Sequence, residues 1–261
     1  MNEPNGGKLT FGGHLEVLRQ MLFRILAVSG FFAVVIFCFK DVTWDLLLAP
    51  SEYDFCTYRW IKTFMQAIGF SNFKFEEFYV DLIATDLSSQ FMTHITTACY
   101  LGLLCGSPYV LYELFRFVSP ALYENEKKYS VQVAVVIYIL FIIGVLMTYY
   151  VLFPISFRFL GTYSVAERVH STITLDSYVE TFMCLTLMMG LVFQLPVIAF
   201  ALAKMEMISS KLLLYYRKHA FLLIMFVAAV ITPPDIMTLI LVTVPLYLLF
   251  EISIKVVKVV E

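Results

Sequence analysis

Charge is scarce in this sequence. Only 15 % of its 261 residues are Asp, Glu, Lys or Arg, where a soluble domain carries about a quarter. The net charge of −2 leaves no overall basic field to attract nucleic acid. The five cysteines (Cys38, Cys56, Cys99, Cys105, Cys184) are scattered and form no C-x-x-C pair, which argues against a disulfide framework or a zinc site. The four histidines (His14, His94, His170, His219) stand apart from one another. H-E-x-x-H, G-x-S-x-G and a P-loop are all missing, so no enzyme, cofactor or metal is expected. A cleavable signal peptide is not expected either, because the first apolar run is too long and lacks a small-residue cleavage pattern.

Apolar sequence is abundant: 61 % of residues, with a mean hydropathy of +0.84. It arrives in long blocks, which reads as an all-α, polytopic membrane protein forming one integral membrane domain over residues 1–261. Six transmembrane helices are expected at about residues 22–39, 91–111, 131–152, 178–203, 219–232 and 236–252, with a long outer loop over 40–89 that should hold at least one surface helix. Ahead of the first span, Leu15, Leu18, Leu22 and Ile25 share one helical face, and Glu16, Gln20 and Arg24 are assigned to another. The uncharged runs of the last two spans, Ala220–Ile231 and Ile236–Phe250, are shorter than the roughly 20 residues that cross a hydrocarbon core of about 30 Å. They are read either as two short spans in a thinned bilayer or as one re-entrant hairpin.

With six spans, twelve lysines and arginines fall on the side of both termini and six on the other. The positive-inside rule then puts both termini in the cytoplasm. The link after the second span, Ser107–Tyr129, is crowded for a connection: Glu113, Arg116, Glu124, Glu126, Lys127 and Lys128 lie between and beyond Pro108 and Pro120. Carboxylates near a membrane boundary are read either as parts of a structural ion-pair network or as acceptors for an arginine fork from a peptide. Within the spans, Gln194 and Pro196 are the notable polar and helix-bending residues. Their readings are a hydrogen bond to a neighbouring helix or freed carbonyl, or a contact with a substrate or partner span. Pro233, Pro234 and Asp235 set a turn between the last two spans. A small-solute secondary transporter, proton- or ion-coupled, is the alternative class, but it calls for repeats and a polar cavity that the sequence does not display.

Eight segments in order carry a family resemblance: HLEVLR (14–19), LLLAP (46–50), IATDLSSQF (83–91), SPYVLYELFRFVSPALYENEKK from residue 107, FPISFRFL (153–160), FQLPV, TPPD and LFE (249–251). The chain resembles the TatC family, the polytopic subunit of the twin-arginine translocase, over nearly its whole length. The resemblance implies binding of twin-arginine signal peptides on folded cargo. It also implies export driven by the proton-motive force, single-span TatA/TatB-type partners, self-association in a receptor complex, and a bacterial inner-membrane location. Residue by residue it makes Glu126 the leading acceptor for the arginine pair, with Glu16, Arg19, Glu124 and Lys127 around it, and makes the Gln194–Pro196 region a docking place for a partner helix. Two departures stand out. The family's acid near the N-terminus falls at Val17, with Glu16 one position earlier, and Gln194 stands where many relatives carry glutamate. Three outcomes are open for the first departure: Glu16 reaches the site after a small rotation, Glu124 shares the load, or Glu126 acts alone.

Overall fold

The computed structural model describes residues 11–69, 81–122, 130–164, 166 and 172–261. Among these residues twelve α-helices follow one another: α1 (Phe11–Cys38), α2 (Lys40–Leu48), α3 (Cys56–Ala67), α4 (Ser89–Cys105), α5 (Ser107–Leu122), α6 (Ser130–Met147), α7 (Phe153–Thr162), α8 (Leu175–Val192), α9 (Leu195–Lys204), α10 (Ser210–Tyr215), α11 (Arg217–Ile231) and α12 (Ile236–Val260). Two short strands, β1 (Leu82–Ile83) and β2 (Ile173–Thr174), pair in parallel. Among the described residues, four helical stretches are long and apolar enough to cross a membrane: Leu15–Cys38, Val133–Thr162, Leu175–Lys204 and Ile236–Val260. Ser89–Cys105 with Ser107–Phe117 gives a fifth if the pair, bent by 59°, counts as one span.

The stretch from Ser107 reads as a crowded link, yet its first sixteen residues form helix α5. Pro108 does not oppose this, because a proline in the first helical turn removes an N–H that has no intrahelical partner anyway. Gly106 makes the bend, and its amide is still bonded to the Gly102 carbonyl at 2.9 Å. The outer loop contains two helices, α2 and α3, within its described part.

The main core joins α8, α11 and α12 to the π-helical turn Thr148–Leu152 and to α7, with Leu152, Leu185, Met189, Ala228 and Val242 fully enclosed. α1 packs along α4 at very close range. A Cβ on Gly102 would lie 2.7 Å from both the Ser29 carbonyl oxygen and the Ala33 amide nitrogen, so only glycine lets these backbones meet as they do.

The outer helices are tied down by phenols. Tyr58 donates to the Pro154 carbonyl at 2.8 Å, Tyr149 to Leu46 at 2.9 Å and Tyr178 to Leu47 at 2.8 Å. Burial pushes the ionisation of Tyr58 upward, against a smaller opposing effect of Arg158 above its ring, so the phenol stays a donor. Asp176, in the first turn of α8, accepts from Ser89 (2.5 Å) and from Thr93, which locks the start of α4 to α8.

Candidate functional site

At the end of the bundle where α1 begins, α1 and α5 enclose a recess of about 350 Å³. Helix α1 contributes Val17, Gln20, Met21 and Arg24, spaced i, i+3, i+4 and i+7. Helix α5 contributes Glu113, Arg116 and Phe117 at i, i+3 and i+4. The periodicity explains which residues meet. Seven residues advance a helix by nearly two whole turns, so Arg24 falls almost in line with Val17, while it sits about 80° round from Glu16.

Glu113 is the buried charge of this recess, only 5 % exposed. Its Oε1 accepts from the Tyr109 hydroxyl at 2.9 Å, one turn earlier on α5, and from Arg24 Nη1 at 3.3 Å across the helix pair. A carboxylate this far from water needs such partners. The Arg24 side chain is 47 % exposed, so the pair is asymmetric: one ion held inside and one reaching in from the rim.

Glu16 lies elsewhere. It is exposed on the outside of α1, paired with Arg19 at 2.7 Å and receiving Gln20 Nε2 at 3.0 Å. Val17, not Glu16, is the residue of that pair that faces α5. Glu124, Glu126 and Lys127 lie outside the described residues.

Gln194 does not lie in the middle of a continuous helix. It closes the turn between α8 and α9, with Pro196 in the first turn of α9. Its Nε2 donates to the Ile137 carbonyl on α6 at 3.0 Å and to the Gly190 carbonyl at 3.4 Å, and its buried Oε1 has no partner among the described residues. Beside it, α6, α9 and α12 line an apolar groove of about 500 Å³ that includes Phe193, Pro196 and Leu249. In the turn before α12, the Asp235 amide donates to the Pro233 carbonyl at 2.7 Å. Asp235 Oδ1 accepts from the Thr238 amide at 2.7 Å, so the residue caps α12.

Two ion pairs between helices, Arg24–Glu113 and Arg217–Glu251, are not plain in the sequence. For the first, the helical spacing of Glu113 and Arg116 from Tyr109 is the signal that places all three on one face. Arg217 Nε meets Glu251 Oε1 at 2.6 Å, joining α11 to α12. Nothing local announces that pair, since the partners are 34 positions apart.

These features define a multi-pass helical membrane protein. Residues 13–245 match the family described as Sec-independent protein translocase protein (TatC). Over 256 residues the chain is 32 % identical to the TatC of Blattabacterium sp. subsp. Periplaneta americana, covering 97 % of this chain and 96 % of that one. It is 34 % identical over 240 residues to the TatC of Escherichia coli K12, covering 92 % and 84 %. A crystal structure of a twin arginine translocase receptor TatC superposes with a TM-score of 0.74 at 25 % identity, over 95 % of this chain and 99 % of that one. The chain belongs to the TatC family: it is an inner-membrane protein translocase component, a transport subunit and not an enzyme.

Proposed function

We propose that this chain is the signal-peptide receptor of a twin-arginine translocase, acting with single-span TatA/TatB-type subunits to export folded proteins on the proton-motive force. The observation that carries this reading is the recess between α1 and α5, which brings a buried carboxylate to the end of the bundle where α1 begins. Helix α5, which lines it, leads in sequence to Glu124, Glu126 and Lys127. In this reading the chain crosses the inner membrane six times with both termini in the cytoplasm, so the recess opens where a signal peptide arrives. Glu126 receives the arginine pair, and Glu16 with Arg19 forms part of the approach. Gln194 and Pro196 border the apolar groove, which offers an apolar wall to a partner span. Pro233, Pro234 and Asp235 hold the last turn in shape. The chain self-associates within the receptor complex.

Site-specific crosslinking of a twin-arginine signal peptide to positions around Glu16 and Glu126 tests the reading. Contacts in both regions, with loss of reporter export in Glu126→Ala cells and a milder defect in Glu16→Ala cells, are expected. Wild-type export in Glu126→Ala cells would remove Glu126 from the site.

A further inference from the structure

Across the recess from Val17 stands a buried carboxylate, Glu113. Val17 faces α5, so a carboxylate at that position would project into the space that Glu113 lines. Glu16 is turned away and already engaged by Arg19 and Gln20. Glu113 reaches the same space from the other helix and lies almost wholly inside the protein. Both of its contacts fall on Oε1, and among the described residues no hydrogen bond reaches Oε2.

We propose that Glu113 is the second arginine-binding carboxylate of the signal-peptide site, and that Arg24 is its resting counter-ion, which an incoming arginine displaces. This rests on the reading of the chain as a signal-peptide receptor. The geometry of the resident pair is what makes exchange feasible. Arg24 touches one oxygen through one nitrogen at 3.3 Å, whereas a well-placed guanidinium engages both oxygens of a carboxylate. Arg24 is half in water already and gives up little on swinging outward. Glu113 cannot be left without a cation, because an unpaired charge at that depth is costly.

The exchange also sets a threshold. Arg24 and Arg116 both line the recess, so a guest cation meets like charge until Arg24 leaves. A lysine offers a point charge without the fork and competes poorly with the resident arginine. Arg24 is thereby a specificity-determining residue, raising the requirement for arginine over lysine in the guest.

Binding of a fluorescent twin-arginine signal peptide and its twin-lysine counterpart to the full-length purified chain in nanodiscs tests this. Glu113→Gln keeps an amide oxygen for Tyr109 and Arg24, and an unchanged gel-filtration profile checks its folding. The expected results are at least about tenfold weaker binding in Glu113→Gln, the size of one lost charge-assisted contact. Recovery is expected in Val17→Glu/Glu113→Gln, where the carboxylate returns from α1. Arg24→Gln should bind more tightly and discriminate less against the twin-lysine peptide. Unchanged affinity in Glu113→Gln, with binding lost in Glu126→Gln, would overturn the proposal and leave the receptor reading standing. Equal losses in Glu113→Gln and Arg24→Gln, or no recovery by Val17→Glu, would make the pair a structural clamp and overturn it too. A wild-type chain that does not distinguish the two peptides would overturn the receptor reading itself.

Discussion

Gln194 illustrates what a single residue discloses and what it conceals. An amide in an apolar run is conspicuous in sequence, and so is the proline two positions later. The partner is not, because Ile137 lies 57 positions away on α6. Its environment also limits which side chains this place can take. The side chain faces two carbonyl oxygens, of Ile137 and Gly190, and carbonyls accept hydrogen bonds without donating them. A carboxylate there would be repelled by both and would lie in a water-poor interior. Gln194→Glu is therefore expected to lower the thermal midpoint in detergent, because the amide donor to both carbonyls is lost. An unchanged midpoint would contradict the assigned geometry. Gln194→Leu is expected to cost about 0.5–2 kcal/mol of stability, the range for an interhelical hydrogen bond in a membrane.

At the scale of elements, long apolar helices were legible and their breaks were not. Apolar length announces Leu15–Cys38 directly. Ile236–Phe250 reads as a short span, and the structure corrects this: α12 runs on past Glu251 to Val260, because one acid at the boundary, paired with Arg217, does not end a helix. The bend at Gly106 and the helical nature of α5 were hidden, because Pro108 and a density of charge resemble loop punctuation when the helical spacing of Tyr109, Glu113 and Arg116 is not followed. The same limit applies to α1. Its amphipathic spacing is visible, but Arg24 does not share the face of Glu16, because a drift of about 80° accumulates over eight residues. Which face is buried depends on α4, and the α1–α4 crossing depends on Gly102. Gly102→Val should force the two helices apart, since its Cβ would meet backbone atoms at 2.7 Å rather than yielding side chains. The expected cost is about 1–3 kcal/mol, as for overpacking elsewhere, read as a lower thermal midpoint in detergent. Because α1 supplies half of the recess, the same variant should weaken signal-peptide binding. An unchanged midpoint would mean that α1 does not rest on α4 as described.

Across the molecule, the long-range polar ties among the described residues gather mainly at the two ends. Where α1 begins, Arg24 meets Glu113, Arg217 meets Glu251, and Glu261 accepts from Ser210. At the other end, phenols and Asp176 bind the outer helices, and between the two Gln194 is the main exception. This distribution suits a bilayer, but the helices are unequal in length. α12 has 25 residues, while α11 has 15 and spans only about 22 Å at 1.5 Å per residue. A hydrocarbon core of about 30 Å therefore overshoots α11 while α12 fits with length to spare. α11 cannot slide to relieve this, because Arg217 fixes one end to Glu251 and the capped turn at Asp235 fixes the other. In the six-span reading the bilayer adjusts instead, thinning beside α11, and each ångström of mismatch costs a fraction of a kcal/mol. The chain should accordingly be more heat-stable in nanodiscs of short-chain phosphatidylcholine than in those of long-chain phosphatidylcholine. Breaking the tether with Arg217→Gln should reduce that dependence by letting α11 shift. Equal stability across lipid lengths would show that α11 does not face the bilayer as a short span.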